Sequence, residues 1–222
     1  MERLLIFGCN DFAELMCENI CRGWSKQDYQ VEGFVIDDVY YTDSTYCGNK
    51  LYRYSDMGNY FAHEEISILV CIGYSKMNLG RKKVFGRLVQ DGWKVASYFD
   101  KTAIVRTDDF GIGNIVCDGA NIGVKSKLGD GNIFYPSAVF AHHSVAGNFN
   151  FWAISASVAG HVVVGNRCFF GNNSSTRDNI SIADETLVGA GCYLDHTVEN
   201  AGHIYRAIAC EEKENTISSE VL

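Results

Sequence analysis

KSKLGD GNIFYP SAVFAH HSVAGN FNFWAI SASVAG HVVVGN RCFFGN NSSTRD NISIAD: cut every six residues, the segment from Lys125 to Asp184 repeats one pattern. The pattern runs outward in both directions, from Lys101 to His196, as sixteen blocks without an insertion. The fourth residue of each block reads Ile104, Phe110, Val116, Ile122, Leu128, Phe134, Phe140, Ala146, Trp152, Val158, Val164, Phe170, Thr176, Ile182, Val188, Leu194; only Ala146 and Thr176 are not large and apolar. The fifth is Gly or Ala in eleven of the sixteen blocks. The second is usually small, as in Ala120, Ser126, Ala138, Ser144, Ala156, Cys168 and Ser174. A period of six fits neither an amphipathic helix nor alternation along one strand. It fits a short strand and a corner, repeated, with one large and one small side chain inward each time. Hexapeptide repeats of this kind predict a parallel β-helix; the competing arrangement is an irregular sandwich of short strands.

The chain of 222 residues has room for two small domains. Its 47% hydrophobic and 21% charged content are those of a globular protein. A net charge of −8 and a pI near 5.2 argue against binding nucleic acid or an anionic membrane. No apolar run approaches a membrane span, and the N-terminus reads as a strand rather than a signal peptide. Nine cysteines are scattered without a C-x-x-C pair, several at strand or inward positions (Cys71, Cys168, Cys192), which predicts reduced thiols in a cytoplasmic protein. Cys17 and Cys21 share a helix face, where packing explains them better than metal binding.

Ahead of the repeat, Arg3 to Phe7 form an apolar run ended by Gly8, with Asn10 as the cap of a helix that buries Phe12, Leu15, Met16 and Ile20 and stops at Gly23. A strand from Val31 to Ile36 ends at Asp37 and Asp38. A third, Ile66 to Ile72, is continuously apolar, as a strand buried on both faces should be, and ends at Gly73. The next helix buries Val84, Phe85, Leu88 and Val89 and stops at Gly92; a last strand, Trp93 to Phe99, enters the repeat. This alternation predicts a small Rossmann-type parallel sheet, whose ligands collect at the carboxyl ends of the strands. Those ends are Gly8 to Asp11, Asp37 with Asp38, and Gly73 with Tyr74. A glycine turn there lets backbone approach a ligand, and a carboxylate can hold ribose hydroxyls or the imide of a uracil.

The block pattern resembles the hexapeptide-repeat acyltransferases, whose left-handed β-helix takes three hexapeptides per coil. Residues eighteen apart then stack one rung apart, about 4.8 Å, and one inner column becomes Val116, Phe134, Trp152, Phe170, Val188, with Ala146 leaving room for the Trp152 ring. A Rossmann-like half followed by such a helix resembles the bacterial nucleotide-aminosugar N-acetyltransferases. The resemblance implies a sugar-nucleotide-binding domain at 1–100, an acyltransferase β-helix at 101–210 and a polar, disordered tail at 211–222. It implies a cytoplasmic homotrimer with clefts between neighbours, using acetyl-CoA as acyl donor and no metal, in glycan biosynthesis.

The same resemblance assigns residues. His142, at the last position of its block, matches the histidine general base, and Gly160, one rung on, the backbone N–H that receives the oxyanion. Gly8, Asn10, Asp11, Asp37, Asp38 and Gly73 match the acceptor site. Phe151, Gly160, Asn172 and Ala190 match positions along coenzyme A, with Arg167, Arg177 and Arg206 as candidates for its phosphates. Four departures stand out. Asp11 brings a carboxylate into a loop where the family favours glycine and histidine. His143 replaces an acidic neighbour of the base, Phe151 stands where some relatives have a second histidine, and Tyr205 to Ala209 replace a Gly-x-Pro-Ala-Lys loop. Phe149 and Phe151, flanking the inward Asn150, are expected to serve the trimer contact. The competing functions are an O-acetyltransferase on a sugar hydroxyl, a silent scaffold, and a zinc carbonic anhydrase of the same fold. The last is disfavoured because its H-x4-H spacing is absent.

Overall fold

The computed structural model describes residues 1–207; the tail at 211–222 lies outside them. The first half is a six-stranded, mainly parallel sheet built from β1 (Glu2–Phe7), β2 (Tyr29–Ile36), β3 (Thr45–Tyr46), β4 (Asn49–Arg53), β5 (Ser67–Val70) and β6 (Lys94–Val95), in the order β3-β4-β2-β1-β5-β6. Helix α1 (Asp11–Cys21) starts where Asn10 Oδ1 accepts the Ala13 N–H at 3.0 Å, so the cap expected from sequence is present. It buries Phe12, Met16 and Ile20, while Leu15 is turned out. Helix α2 (Leu79–Gln90) buries Val84, Phe85 and Leu88 and leaves Val89 exposed. In each helix the expected apolar stripe is one residue too wide. β4 has no clear sequence signal: of its five residues only Leu51 and Tyr52 are buried.

The apolar run at Trp93–Phe99 does not form one strand. Ala96 still donates to Ile68 O of the sheet, whereas Tyr98 already donates to Asn114 O, so Tyr98–Phe99 is the first rung of the next unit. From there the chain winds through short parallel strands in which Ile133 pairs with Phe151 and Phe134 with Trp152, a register of eighteen residues. Three stacked sheets result. Face one contains Ile133–Phe134 and Phe151–Trp152, face two Val139–Phe140 and Ser157–Val158, and face three Val145–Ala146 and Val163–Val164. This is the β-helix, not a sandwich.

Its interior follows the hexapeptide. Trp152 is fully buried and stacks on Phe134 (4.1 Å, 6°) and Phe170 (5.5 Å, 1°). The small second residues are buried without exception among those named above. Asn114, Asn132 and Asn150 form a ladder at one corner, each side-chain oxygen accepting the backbone N–H eighteen residues on. Glycine at the fifth position has a steric cause: a Cβ on Gly129 would lie 2.7 Å from Gly147 O of the next rung. The first residue of most blocks has positive φ, including Lys125, His143, Phe149, His161 and Asn179, where backbone bonds to neighbouring rungs hold a conformation that only glycine adopts freely.

The sheet lies on face one. The outward Ile115, Ile133 and Phe151 share a core with Phe12, Ala13, Met16 and Cys71. Phe149 packs edge-on against Phe85 of α2, and Phe151 against Tyr74 and Tyr135. These two phenylalanines are therefore spent inside the chain, at 8% and 1% exposure, and are not available for the trimer contact expected of them. Arg81 is a second tie. Fully enclosed at 1% exposure, it donates to the carbonyls of Ile72 and Gly73 on one side and of Gly131, Phe149 and Asn150 on the other. Among the described residues no carboxylate pairs with it, and burial lowers its pKa to about 9.

Candidate active site

Each coil passes from face one to face two to face three, so it has three corners. The corner between faces two and three is opposite face one, and it carries the histidines. At 141–144 and 159–162 it presents His142, His143, Gly160 and His161, with Arg177 and Asp178 one rung further. The imidazole of His142 stands directly over Gly160: a Cβ added there would be 2.6 Å from Cε1 and 3.0 Å from Nε2. Only glycine leaves room for the ring in this position. Gly160 N–H has no acceptor among the described residues, so a backbone donor lies open beside the imidazole.

His142 Nδ1 lies 3.0 Å from His143 Nδ1, and one of the two must donate. A neutral His143 accepting the His142 Nδ1–H leaves Nε2 of His142 as a free acceptor. His143 has its pKa lowered, by desolvation first and then by repulsion from His161, Lys125 and His142, which favours the neutral ring. It thus occupies the place that the resemblance gives to an acidic residue. His161 stacks on His143 at 4.8 Å and 13°, as their eighteen-residue spacing requires.

The corner between faces one and two is of another kind. Tyr74, Tyr135, Phe151, Ala153, Ile154 and Phe169 line a cleft of about 330 Å³ closed by Gly171, Asn172 and Ala190. The Asn172 and Ala190 N–H groups have no backbone acceptor among the described residues, leaving donors for amide carbonyls of an extended ligand. Three predicted coenzyme positions, Phe151, Asn172 and Ala190, come together here, with exposed Arg206 beyond the last rung. Phe151 is the buried floor of the cleft rather than a free side chain. Arg167 sits at the third corner, paired with Glu185, and Arg177 is exposed on the histidine corner. The three arginines therefore belong to three separate edges, and no single phosphate site gathers them.

The residues predicted to hold the acceptor lie along the carboxyl edge of the sheet. Gly8 has φ +136 and approaches the end of β5 so closely that a Cβ would meet Cys71 O at 2.8 Å. Asn10 spans the same gap, with Nδ2 donating to Cys71 O at 3.0 Å. Asp11 and Glu14 make the first turn of α1 acidic, which opposes an anion at that helix end. Asp37 pairs with Arg87, and the pKa of Asp38 is lowered by hydrogen bonding first to the Ser55 side chain and then to the Ser55 N–H, at 3.1 Å. Both carboxylates face a hollow of about 420 Å³ bordered by Tyr40 and Tyr54. Gly73 is held through its carbonyl by Arg81 and leads to Tyr74 in the aromatic cleft. Arg81 was not foreseen: it lies among charged residues of an ordinary helix, with no spacing that marks burial. A hollow of about 480 Å³ among Met1, Lys26 and Lys101 contains none of these residues.

The histidine corner and the aromatic cleft are thus separate groups. The histidine corner is opposite the face that carries the sheet, and the aromatic cleft adjoins the sheet. One chain does not bring them together.

No protein-family model matches the sequence, and no curated protein matches it. Solved structures do match the fold. The acetyltransferase domain of PglB from Neisseria gonorrhoeae superposes with a TM-score of 0.79 at 20% identity, over 92% of this chain and 96% of that one. PerB from Caulobacter crescentus, solved with CoA and GDP-perosamine, gives 0.73 at 23% identity over 89% and 93%. WeeI from Acinetobacter baumannii gives 0.74 at 17% identity over 88% and 94%. The chain therefore has the architecture expected from its sequence, a Rossmann-like sheet followed by a left-handed β-helix.

Proposed function

We propose that the protein is an acyl-CoA-dependent N-acyltransferase, transferring an acetyl group to the amine of a nucleotide-linked deoxyamino sugar, in clefts shared between the subunits of a homotrimer. The observation that carries this reading is the His142 imidazole seated over Gly160 with an open backbone N–H beside it. PerB binds CoA and GDP-perosamine, and the PglB domain has been solved with acetyl coenzyme A, so the fold accommodates both substrate classes.

The chemistry needs a base, an oxyanion donor and a track for the thioester. The acceptor nitrogen forms its bond to the thioester carbonyl carbon while its proton passes to His142 Nε2. The carbonyl oxygen takes up the negative charge and is met by Gly160 N–H. Collapse restores the C=O bond and breaks the C–S bond, and the imidazolium returns the proton to the departing sulfur. His143, holding Nδ1, fixes the tautomer that leaves Nε2 unprotonated. The aromatic cleft, with the free N–H groups of Asn172 and Ala190, suits the amide-rich arm of coenzyme A. The carboxyl edge of the sheet suits the nucleotide. A neighbouring copy that lays its aromatic cleft against the histidine corner completes the site, and a cyclic trimer repeats that contact three times.

The test is thiol release from acetyl-CoA with a panel of nucleotide-linked amino sugars and their hydroxyl counterparts. Release that depends on an amino sugar is expected. Release with hydroxyl sugars alone makes the enzyme an O-acetyltransferase, and none across the panel leaves a scaffold.

A further inference from the structure

The histidine corner contains one imidazole more than acyl transfer uses. One ring nitrogen from each of His142, His143 and His161 lies within 4.8 Å of the others, and all three rings are exposed. Their placement is held by backbone. His143 and His161 occupy equivalent corner positions one rung apart, at φ +59 and +57, so their rings are parallel. His142 stands perpendicular to both, at 88° and 83°, with ring centroids 5.2 and 5.4 Å away. Their backbones are tied by His143 N–H to Val124 O at 3.0 Å and His161 N–H to His142 O at 3.1 Å.

A tetrahedral ion with metal–nitrogen bonds of about 2.0–2.1 Å separates its ligand nitrogens by roughly 3.3 Å. The His142–His143 pair, at 3.0 Å, is already close to that separation, and small rotations of exposed rings bring in His161. Two basic residues border the cluster, Lys125 one rung before His143 and Arg177 one rung after Ala159, with one carboxylate, Asp178, one rung after Gly160. We infer that His142, His143 and His161 bind a single nitrogen-preferring transition-metal ion, such as zinc or cobalt(II), with the fourth position open to water. These ligands need no H-x4-H spacing, since they come from adjacent positions and from one rung on.

Binding engages His142 in either of two ways. Metal on Nε2 takes the lone pair that accepts the proton; metal on Nδ1 leaves the hydrogen on Nε2. The ion therefore competes with the base. The binding itself is independent of the proposed function, whereas the inhibition rests on it.

Cobalt(II) titration of the purified full-length protein, followed by absorption, tests the site. One ion per chain is expected, with tetrahedral visible bands and no thiolate charge-transfer band, which sets it apart from binding at Cys17 and Cys21. His161→Ala and His143→Ala should each weaken uptake about tenfold or more, while a Cys17→Ser/Cys21→Ser variant binds as the wild type does. Absence of uptake, a thiolate band, or uptake unchanged in both histidine variants overturns the proposal. In the acyl-transfer assay, zinc should inhibit the wild type, and His161→Ala, still active, should require about tenfold more. Equal zinc sensitivity of the two refutes the competition. Specific cobalt uptake by a protein with no acyl transfer leaves the metal site standing and removes the proposed function instead.

Discussion

The two edges of the β-helix that carry the candidate residues are built from the same hexapeptide, yet they differ in nearly every property. One is open, polar and opposite the sheet, with His142 set over Gly160. The other lies under Tyr74 and is floored by Tyr135, Phe151 and Phe169. The difference comes from what covers each face. The sheet buries the outward residues of face one, which turns that edge into an apolar cleft, and nothing among the described residues covers the other. A base and an extended apolar-walled track are both required for acyl transfer from a thioester. In the trimer we propose, a chain that keeps them on separate edges supplies complementary halves of a site.

Removing the base should have the largest effect on that arrangement. His142→Ala is expected to lower kcat by about 10²–10⁴, the usual contribution of a positioned base, with binding of coenzyme A measured calorimetrically and unchanged. Gly160→Ala tests the same edge through geometry alone. The added methyl occupies the space of the imidazole, and displacement of the base by about 1 Å is expected to cost on the order of 10² in kcat while the far-UV spectrum stays that of the wild type.

Arg81→Met acts on the other edge, through its attachment to the sheet. Five carbonyls, those of Ile72, Gly73, Gly131, Phe149 and Asn150, lose their buried donor together. A loss on the order of 3 kcal/mol is expected, or a Tm lower by about 6–12 °C for a chain of this size. A shift under 2 °C, less than about 0.5–1 kcal/mol by the same scaling, would mean that water replaces the guanidinium.

The smallest expected effect is the acid response of His143. Its pKa is lowered from 6.5 in the folded chain, so below 6.5 the unfolded chain binds more protons and stability falls as the pH drops. His143→Asn should flatten the slope of the urea midpoint between pH 6.5 and the lowered pKa, relative to the wild type. Protonated His143 also cannot accept from His142 Nδ1–H, so wild-type activity should fall as the pH drops through the lowered pKa.

The β-helix could be read from sequence because each hexapeptide must place a large side chain, a small one and a glycine against the next rung. Gly129 against Gly147 and Trp152 against Phe134 are both consequences of the eighteen-residue stack. The same stack put His142 beside Gly160. Residues that depend on the meeting of the two halves could not be read this way. Phe149 and Phe151 look like interface residues until α2 and Tyr74 are seen to cover them. Arg81 has no periodic signal, since its partners are carbonyls from remote turns. Leu15 and Val89 belong to apolar stripes whose outer margin has nothing to meet. The arginines were grouped by charge, but the rungs disperse them over three corners.

Two inactive variants in one trimer test most directly whether the two edges form one site across neighbouring subunits. His142→Ala disables the open edge, and Ala190→Trp, at an exposed corner position, blocks the cleft on the other. Co-expressed with different tags and purified through both, every mixed trimer has one contact that pairs an intact His142 with an intact cleft. Recovery of about one third of wild-type acyl transfer is expected for a ring of three equivalent contacts. Mixed trimers as inactive as their parents would place the whole site within one chain and contradict the account.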